Sequence, residues 1–362
     1  MKGKTRKCDQ FLIITNKEMQ IITSVLTKYN IELVSAEKIR NAYKIITNRG
    51  NYCLKRMKHG KNKAKNGCIL TEELLLNKFS NISKYFRTIE GNSYVRYKSN
   101  IFYLIEWIEG FECDFTNIDE AANCTKLLAE FHNMSNKIDY SNIEIGNSFK
   151  NWPKILACNL KNIERFKSII INKRIKNDFD VIFLNDIDNF YNRGLSAINM
   201  LNTSHYYNLS KIANDEKTLC TNSFYNQNII KKEEEYFIVD FDDIMIDLQI
   251  IDLGKFIRKL MFKKAYEWNF TFAKTLIEAY SSVRRLSKVD LEIIFALIIF
   301  PQKFWNLGQK RYIKHKKWSE TKYLHKLNKI VRYNENQEIF FADCLIFLEK
   351  KFNSNKSKEI DL

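Results

Sequence analysis

The sequence predicts an α+β chain of two lobes, a small mixed β/α lobe followed by a larger, mainly helical one. Three observations carry this expectation. Residues 1–108 hold about five β-rich runs interrupted by one helical pattern after the third. From about residue 110 onward apolar positions recur at helical spacing. Within that second part, residues 109–362, the stretch "SFYNQNIIKKEEEYFIVDFDDIMI" is the only clear strand pair, with the charged run "KKEEE" as its turn.

Residues 9–28 place Phe11, Leu12, Ile21, Ile22, Val25 and Leu26 at helical spacing, which predicts a first helix. "IELVSAEKI" and "NAYKIITNRGNYCLKRM" then give three short β-rich runs, with "TNRGN" supplying hairpin-turn chemistry. "KHGKNKAKNG" is expected to be a basic loop, and residues 69–83 set Leu70, Leu74, Leu75 and Phe79 on one helical face. "YFRTIEGNSYVRYKSNIFYLIEWIEG" adds two or three strands with "EGN" as a turn, so the first lobe is expected to end just after Trp107. Beyond it, "NIDEAANCTKLLAEFHNMS" opens on Asn117 or Asp119 as N-cap, with Leu127, Leu128 and Phe131 on its apolar face. Residues 150–202 are helical apart from a break near "KNDFD", and 250–351 are expected to be long helical segments.

Composition narrows the class. Hydrophobic content of 45% and aromatic content of 14% suit a packed globular protein, and 10 Gly with 2 Pro leave no flexible linker. The net charge of +17 admits anionic polymers, acidic proteins or nucleic acid as partners. Lys and Arg are spread along the whole chain without an RNA-binding or zinc-finger signature, so no dedicated nucleic-acid role is expected. The eight cysteines include no Cys-x-x-Cys pair, and Cys53 and Cys344 lie in apolar runs, as small buried hydrophobes do. A reducing compartment follows by default. The longest apolar run, "IIFALIIF" (293–300), falls short of the roughly 20 residues that span a bilayer, so a soluble protein without a transmembrane segment is expected.

The order of chemistry-bearing residues is suggestive. A strand lysine (Lys55) is followed by a helix bearing Glu72 and Glu73, a strand leading into the second lobe, and "LLAEFH". Then come Asn228 and, twelve residues later, Asp240 at a strand end. Phosphoryl transfer needs such an inventory, because its catalysis is mostly positioning and charge neutralisation. Four stretches, "ITNRGNYCLK" (46–55), "YLIEWIEG" (103–110), "LLAEFHNMS" (127–135) and "IVDFDDIMIDLQIIDLGKFIRK" (238–259), resemble the protein-kinase-like fold of aminoglycoside phosphotransferases and choline kinases. With "FPQKFWNLGQKRYIKHKKW" (300–318), the set resembles most closely the CotS-type spore coat proteins, over nearly the whole chain.

The resemblance implies roles residue by residue. Lys55 matches the phosphate-contacting lysine, against the plainer reading of an exposed strand lysine. Glu73 or Glu72 would be its helix partner, although either also fits a solvated helix face. Glu106 to Ile108 match the adenine-binding hinge, where Trp107 is equally well explained as core packing. Asn228 and Asp240 match the two Mg²⁺ ligands, and oxygen donors suit that ion. His132 and Asp252 match structural residues of the family. The cofactors so implied are ATP and Mg²⁺.

One loop departs from the pattern. The family reads His-x-Asp with an Asn five residues after the Asp; counting back from Asn228, the histidine falls at Thr221 and the aspartate, the catalytic base, at Ser223. A serine hydroxyl has no useful basicity near neutral pH, and general-base assistance is typically a 10²–10⁴-fold term. Asp242 is the best substitute by position, ahead of Asp243, Asp215 and Glu216. "VSAEKIRNAYKI" (34–45) also lacks the glycine-rich phosphate loop. Two functions remain open. One is a catalytically impaired kinase-like coat protein, made in the cytoplasm and assembled on the spore coat through other coat proteins or anionic surface polymers. The other is an active phosphotransferase acting on a small molecule, a sugar or a coat protein. The segment "KFWNLGQKRYIKHKKW" is read as a contact surface, or as a helix whose Phe304, Trp305 and Tyr312 pack inward.

Overall fold

The computed structural model describes residues 13–58, 60–145 and 150–353; Phe11 and Leu12, counted above toward the first helix, lie outside them. In chain order the first elements are α1 (Asn16–Leu26), β1 (Ser35–Ile39), β2 (Ala42–Thr47), β3 (Gly50–Met57), α2 (Lys61–Leu76), β4 (Tyr85–Phe86), β5 (Val95–Tyr97), β6 (Asn100–Glu106) and β7 (Phe111–Glu112). They continue with α3 (Ile118–Ser135), α4 (Trp152–Ile171), α5 (Asp178–Thr203), α6 (Tyr206–Asp215), β8 (Leu219–Cys220), β9 (Ile229–Lys232), β10 (Glu235–Ile238) and β11 (Met245–Ile246). The last are α7 (Ile250–Met261), α8 (Phe270–Ser281), α9 (Lys288–Ile299), α10 (Gln302–Gly308), α11 (Glu320–Val331) and α12 (Asn334–Asn353). The chain divides into two compact units. One takes the described residues of Met1–Cys113, Asn133–Asn147 and Thr221–Met245, the other those of Asp114–His132, Ser148–Cys220 and Ile246–Leu362.

In the first unit an antiparallel sheet runs β1-β2-β3-β6-β4, with β5 also paired to β6. β2 alternates outward and buried positions along its length, so Tyr43 and Ile45 face one side together with Leu54, Phe102 and Leu104. Helix α1 closes that side with Ile22, Val25 and Leu26, each fully buried apolar side chain contributing about 1.5–3 kcal/mol. Thr15 and Glu18 form a capping box that fixes where α1 starts.

Helix α2 begins at Lys61, so the stretch expected as a basic loop is mostly helix. Gly60, at φ 139°, turns the chain into it. Over its first half the inward face carries Ala64, Gly67 and Cys68, residues too small to register as an apolar stripe, while the lysines project outward; Leu70, Thr71 and Leu74 continue that face. The helix also ends at Leu76, leaving the buried Phe79 in the following turn.

The hairpin β9–β10 pairs Lys232 with Glu235 and turns through Glu233 at φ 53°. β7 joins its free edge, giving the order β10-β9-β7. Gly110 permits that approach: a Cβ there would stand 2.3 Å from the Lys231 carbonyl oxygen. On the other edge the Ser83 N–H donates to the Ile238 carbonyl and the Ile238 N–H to that of Asn81. Glu106 N–H in turn donates to the Lys84 carbonyl. Residues 81–84 therefore hold the end of β6 and the end of β10 in one hydrogen-bonded piece.

The second unit is helical. α5 starts at Asn177, whose side chain and that of Asp180 form a capping box, and this accounts for the break near "KNDFD". Phe304 of α10 stacks on Phe183 at 4.0 Å and on Phe190 at 4.1 Å, at the centre of an aromatic core that also takes Phe166, Phe179 and Tyr323. Phe304 and Tyr312 are buried there, with Trp305 packed against them. The stretch Lys288–Ile313 is long and apolar enough by composition to cross a membrane, more than the run 293–300 alone suggests, yet 72% of its apolar window is buried inside the protein. A helix apolar all round is what a core position requires.

Candidate functional site

β3 delivers Lys55, which stands opposite Ala42 of β2 and Tyr103 of β6 in the sheet register. Burial of Cys53 and Leu54 on the same strand leaves Lys55 little freedom, and its side chain is only 16% exposed. Its ammonium lies 2.8 Å from Asp240 Oδ1 and 3.2 Å from Asp242 Oδ2, both just beyond the end of β10. Tyr103 OH donates to the other oxygen of Asp242 at 2.5 Å. The Asp242 N–H donates to Asp240 Oδ1 at 3.0 Å, closing a ring of Lys55, Asp240 and Asp242 to which Tyr103 is joined. Alongside, Lys63 neutralises Asp243 at 2.6 Å.

Two carboxylates against one ammonium leave this ring with a surplus negative charge. Burial draws the Lys55 amine down, but Asp242 and Asp240 outweigh it and hold the amine above its ordinary range. Burial pushes the Asp242 carboxyl up, against the pull of Lys55. The site opens into a cavity of about 470 Å³ lined by Lys55, Asn228, Asp240 and Asp242 and, at its rim, by Glu106 and Ile108. That volume falls within the range of small-molecule sites. Its oxygen donors, Asp240, Asp242 and Asn228, fit a hard divalent cation.

Six of the residues singled out in the sequence thus border one cavity. The hinge stretch is only partly open: the Glu106 N–H and C=O are taken by Lys84 and Ser83, and the Trp107 N–H by Asn51. Among the described residues Ile108 finds no partner for either backbone polar group. The helix α2 carboxylates stand elsewhere. Glu72 pairs with Arg87 at 2.6 Å, and Glu73 makes no ion pair among the described residues. Lys55 takes its anionic partners from beyond β10, and Tyr103, opposite it in register, stacks on Tyr85 at 5.6 Å. Tyr103 was not legible as a site residue; only the β3–β6 register, which sets it opposite Lys55, marks it.

The loop before β9 keeps its scaffold. Asn228 Nδ2 donates to the Ser223 carbonyl at 3.0 Å, and the Asn228 carbonyl accepts from the Val239 N–H. Thr221 and Ser223 are buried at 1% and 3% exposure, and the Ser223 hydroxyl has no hydrogen-bond partner among the described residues. No carboxylate or imidazole stands at either position. Asp242, the substitute suggested by position, has both oxygens engaged by Lys55 and Tyr103. Asp215 and Glu216 lie at the end of α6, in the helical unit. In that unit His132 is wholly buried, its Nδ1 2.8 Å from Tyr280 OH and its Nε2 3.5 Å from Asp252, a packing role with burial holding its pKa below the usual value.

Comparison with solved structures places the fold. An aminoglycoside phosphotransferase from Alicyclobacillus acidocaldarius superposes with a TM-score of 0.81 at 16% identity, covering 94% of this chain and 98% of that one. A spectinomycin phosphotransferase in complex with ADP and spectinomycin gives 0.58 at 17% identity, covering 90% and 97%. The fold is kinase-like. Among curated proteins, spore coat protein S of Bacillus subtilis (strain 168) is 25% identical over 346 residues, 93% of this chain and 97% of that protein. The family described as "Spore coat putative kinase YutH" matches residues 22–344, and the chain belongs to that spore coat family.

Proposed function

We propose that this protein is a spore coat component that uses a kinase-like fold as a nucleotide-responsive scaffold and has little or no phosphotransfer activity. The observation that carries the reading is Ser223. At the place where the family resemblance expects the catalytic aspartate stands a hydroxyl that is 3% exposed and unpartnered. A group so buried and so weakly basic does not take a proton from a substrate. The rest of the nucleotide machinery argues for retained binding. Lys55 would neutralise phosphates, Asp240 and Asn228 would hold Mg²⁺, and the unpaired backbone of Ile108 would meet the base. Bound Mg²⁺ would supply charge neutralisation on the phosphate oxygens. By analogy with spore coat protein S, the chain is made in the cytoplasm and assembles on the coat, against other coat proteins or anionic surface polymers.

The second reading is an active ATP-dependent phosphotransferase, favoured by Asn228 and Asp240 lining one cavity at the spacing the resemblance expects of metal ligands. One experiment separates them. Thermal denaturation with and without Mg-ATP measures binding, since stabilisation follows RT ln(1 + [L]/Kd), about 2.7 kcal/mol at a hundredfold excess over Kd. Transfer from labelled ATP to spore extract measures catalysis. A thermal shift lost in Lys55→Ala, without transfer, supports the scaffold; transfer abolished by Asp240→Ala establishes the enzyme. No shift at millimolar ATP refutes nucleotide binding altogether.

A further inference from the structure

The excess positive charge has a focus in the helical unit. α11 buries Tyr323, Leu327 and Ile330 and turns Lys322, Lys326 and Lys329 outward, spaced i, i+4 and i+7. The carboxylate of that helix, Glu320, is spent on Arg311 at 2.6 Å, away from this row. Beside it the indole of Trp318 is surrounded by four ammonium groups, those of Lys310, Lys316, Lys322 and Lys326, at 5.0–5.3 Å from the ring centroid. Lys303 continues the row with its ammonium 3.5 Å from the centre of the Phe262 ring. Burial, then its neighbours Lys329, Arg258, Lys259 and Lys326, draw its pKa down to about 7. None of these six lysines forms an ion pair among the described residues.

Five clustered cations without counter-charge, with the partly protonated Lys303 beside them, repel one another, and the apolar face of α11 lies on its other side. The aromatic rings hold several of the ammonium groups in place, so a bound anion meets cations already positioned. The geometry also selects among polyanions. The ammonium groups around the indole, at 5.0–5.3 Å, would compete with a nucleobase for its faces. On α11 the successive cations rise by about 6 Å and 4.5 Å. An extended peptide presents same-face side chains every ~6.6–6.8 Å, near the larger of these two steps.

We propose that this face, Lys303, Lys310 and Lys316 with Lys322, Lys326 and Lys329, docks an extended segment of a partner protein rich in Asp and Glu. The surface lies wholly within the helical unit and does not depend on whether the nucleotide site is active.

The test uses the full-length protein and fluorescently labelled poly-L-glutamate as probe, read by anisotropy. Single-stranded DNA and inorganic polyphosphate serve as competitors at matched charge. Binding is expected and should weaken as salt rises. The triple variant Lys322→Ala, Lys326→Ala, Lys329→Ala should lose affinity by about tenfold or more. The corresponding triple arginine variant should keep it. Replacing the exposed Lys154, Lys161 and Arg165 of α4 by alanine should change nothing. A readout that needs no variant runs in parallel: bound poly-L-glutamate should protect Lys322, Lys326 and Lys329 of the unaltered protein from acetylation. The proposal is overturned by equal affinity in the α11 alanine variant, by equal loss in the α4 variant, or by absent protection. It is also overturned if DNA or polyphosphate displaces the probe more strongly than unlabelled poly-L-glutamate does.

Discussion

Replacing Asp242 by alanine tests the ring of residues around Lys55 most directly. The substitution removes the acceptor of Tyr103 OH, a buried hydroxyl, and an orphaned buried polar group costs about 1–3 kcal/mol. Lys55 would keep Asp240 at 2.8 Å, so the about 3–5 kcal/mol of a fully broken buried pair does not apply. Relief of the buried Asp242 charge offsets part of the loss, leaving a net destabilisation of about 1–3 kcal/mol. Tyr103→Phe alone removes a hydrogen bond to a charged acceptor and should cost about 1.5–3 kcal/mol. Urea denaturation of both single variants and the double variant at pH 7, with unchanged m-values, closes the cycle. Because the two side chains act on one another, the coupling should reach about 1–2 kcal/mol. The pH dependence gives a second handle. Burial raises the Asp242 carboxyl above its ordinary 3.8, so its favourable contribution is present below 3.8 and is lost as pH rises through the raised value. Asp242→Asn should therefore gain on the unaltered protein over that rise. Additivity within about 0.3–0.5 kcal/mol would refute the shared ring.

Gly67→Ala puts a Cβ 2.8 Å from the ring of Tyr85, which is itself stacked on Tyr103, and should destabilise by about 1–3 kcal/mol despite the better helix propensity of alanine. A stabilised variant in thermal denaturation would contradict that packing. Glu18 is held down to about 2, first by its hydrogen bond with Lys38 and then by the Thr15 N–H. With the folded value depressed below 4.5, its contribution is present above 4.5 and lost as pH falls through about 2. NMR titration should find that midpoint, and the stability advantage over Glu18→Gln should vanish across the same window; a midpoint near 4.5 would count against the pairing. Finally, Thr221→His with Ser223→Asp restores the acid and histidine of the loop. Transfer from labelled ATP should rise by about 10²-fold or more. Equal rates in the two proteins would mean that the missing acid is not what limits this loop.

What could be read in the sequence divides along physical lines. Strands betray themselves by alternation, so the β2–β3 hairpin and β9–β10 stood out, and Asn228 and Asp240 were set by spacing around them. Leu70 and Leu74 marked the second half of helix α2, but its first half hid because Ala64, Gly67 and Cys68 face inward there, and a search for large apolar side chains passes over them. Tyr103 hid because its role depends on a pairing between strands 48 residues apart in register, Lys55 opposite Tyr103. The partnership of Lys55 with Asp240 and Asp242, in place of a helix carboxylate, likewise follows from tertiary placement and not from any local pattern.

The loop at 221–228 shows why family membership and activity separate. Its conformation rests on the Asn228 amide bonding the backbone carbonyl of Ser223, a group every residue carries. The side chain at 223 contributes nothing to that bond, so an aspartate can become a serine there while the loop, the hairpin and the likeness to kinases all persist. Lys55 is different. Buried between Asp240 and Asp242, it neutralises charges that the fold would otherwise leave unpaired, and removing it would be costly whether or not phosphate ever binds. Its retention therefore follows from stability alone and does not argue for turnover. A nucleotide-dependent thermal shift does argue for binding, because it compares the same folded protein with and without the ligand and cancels the structural share of Lys55.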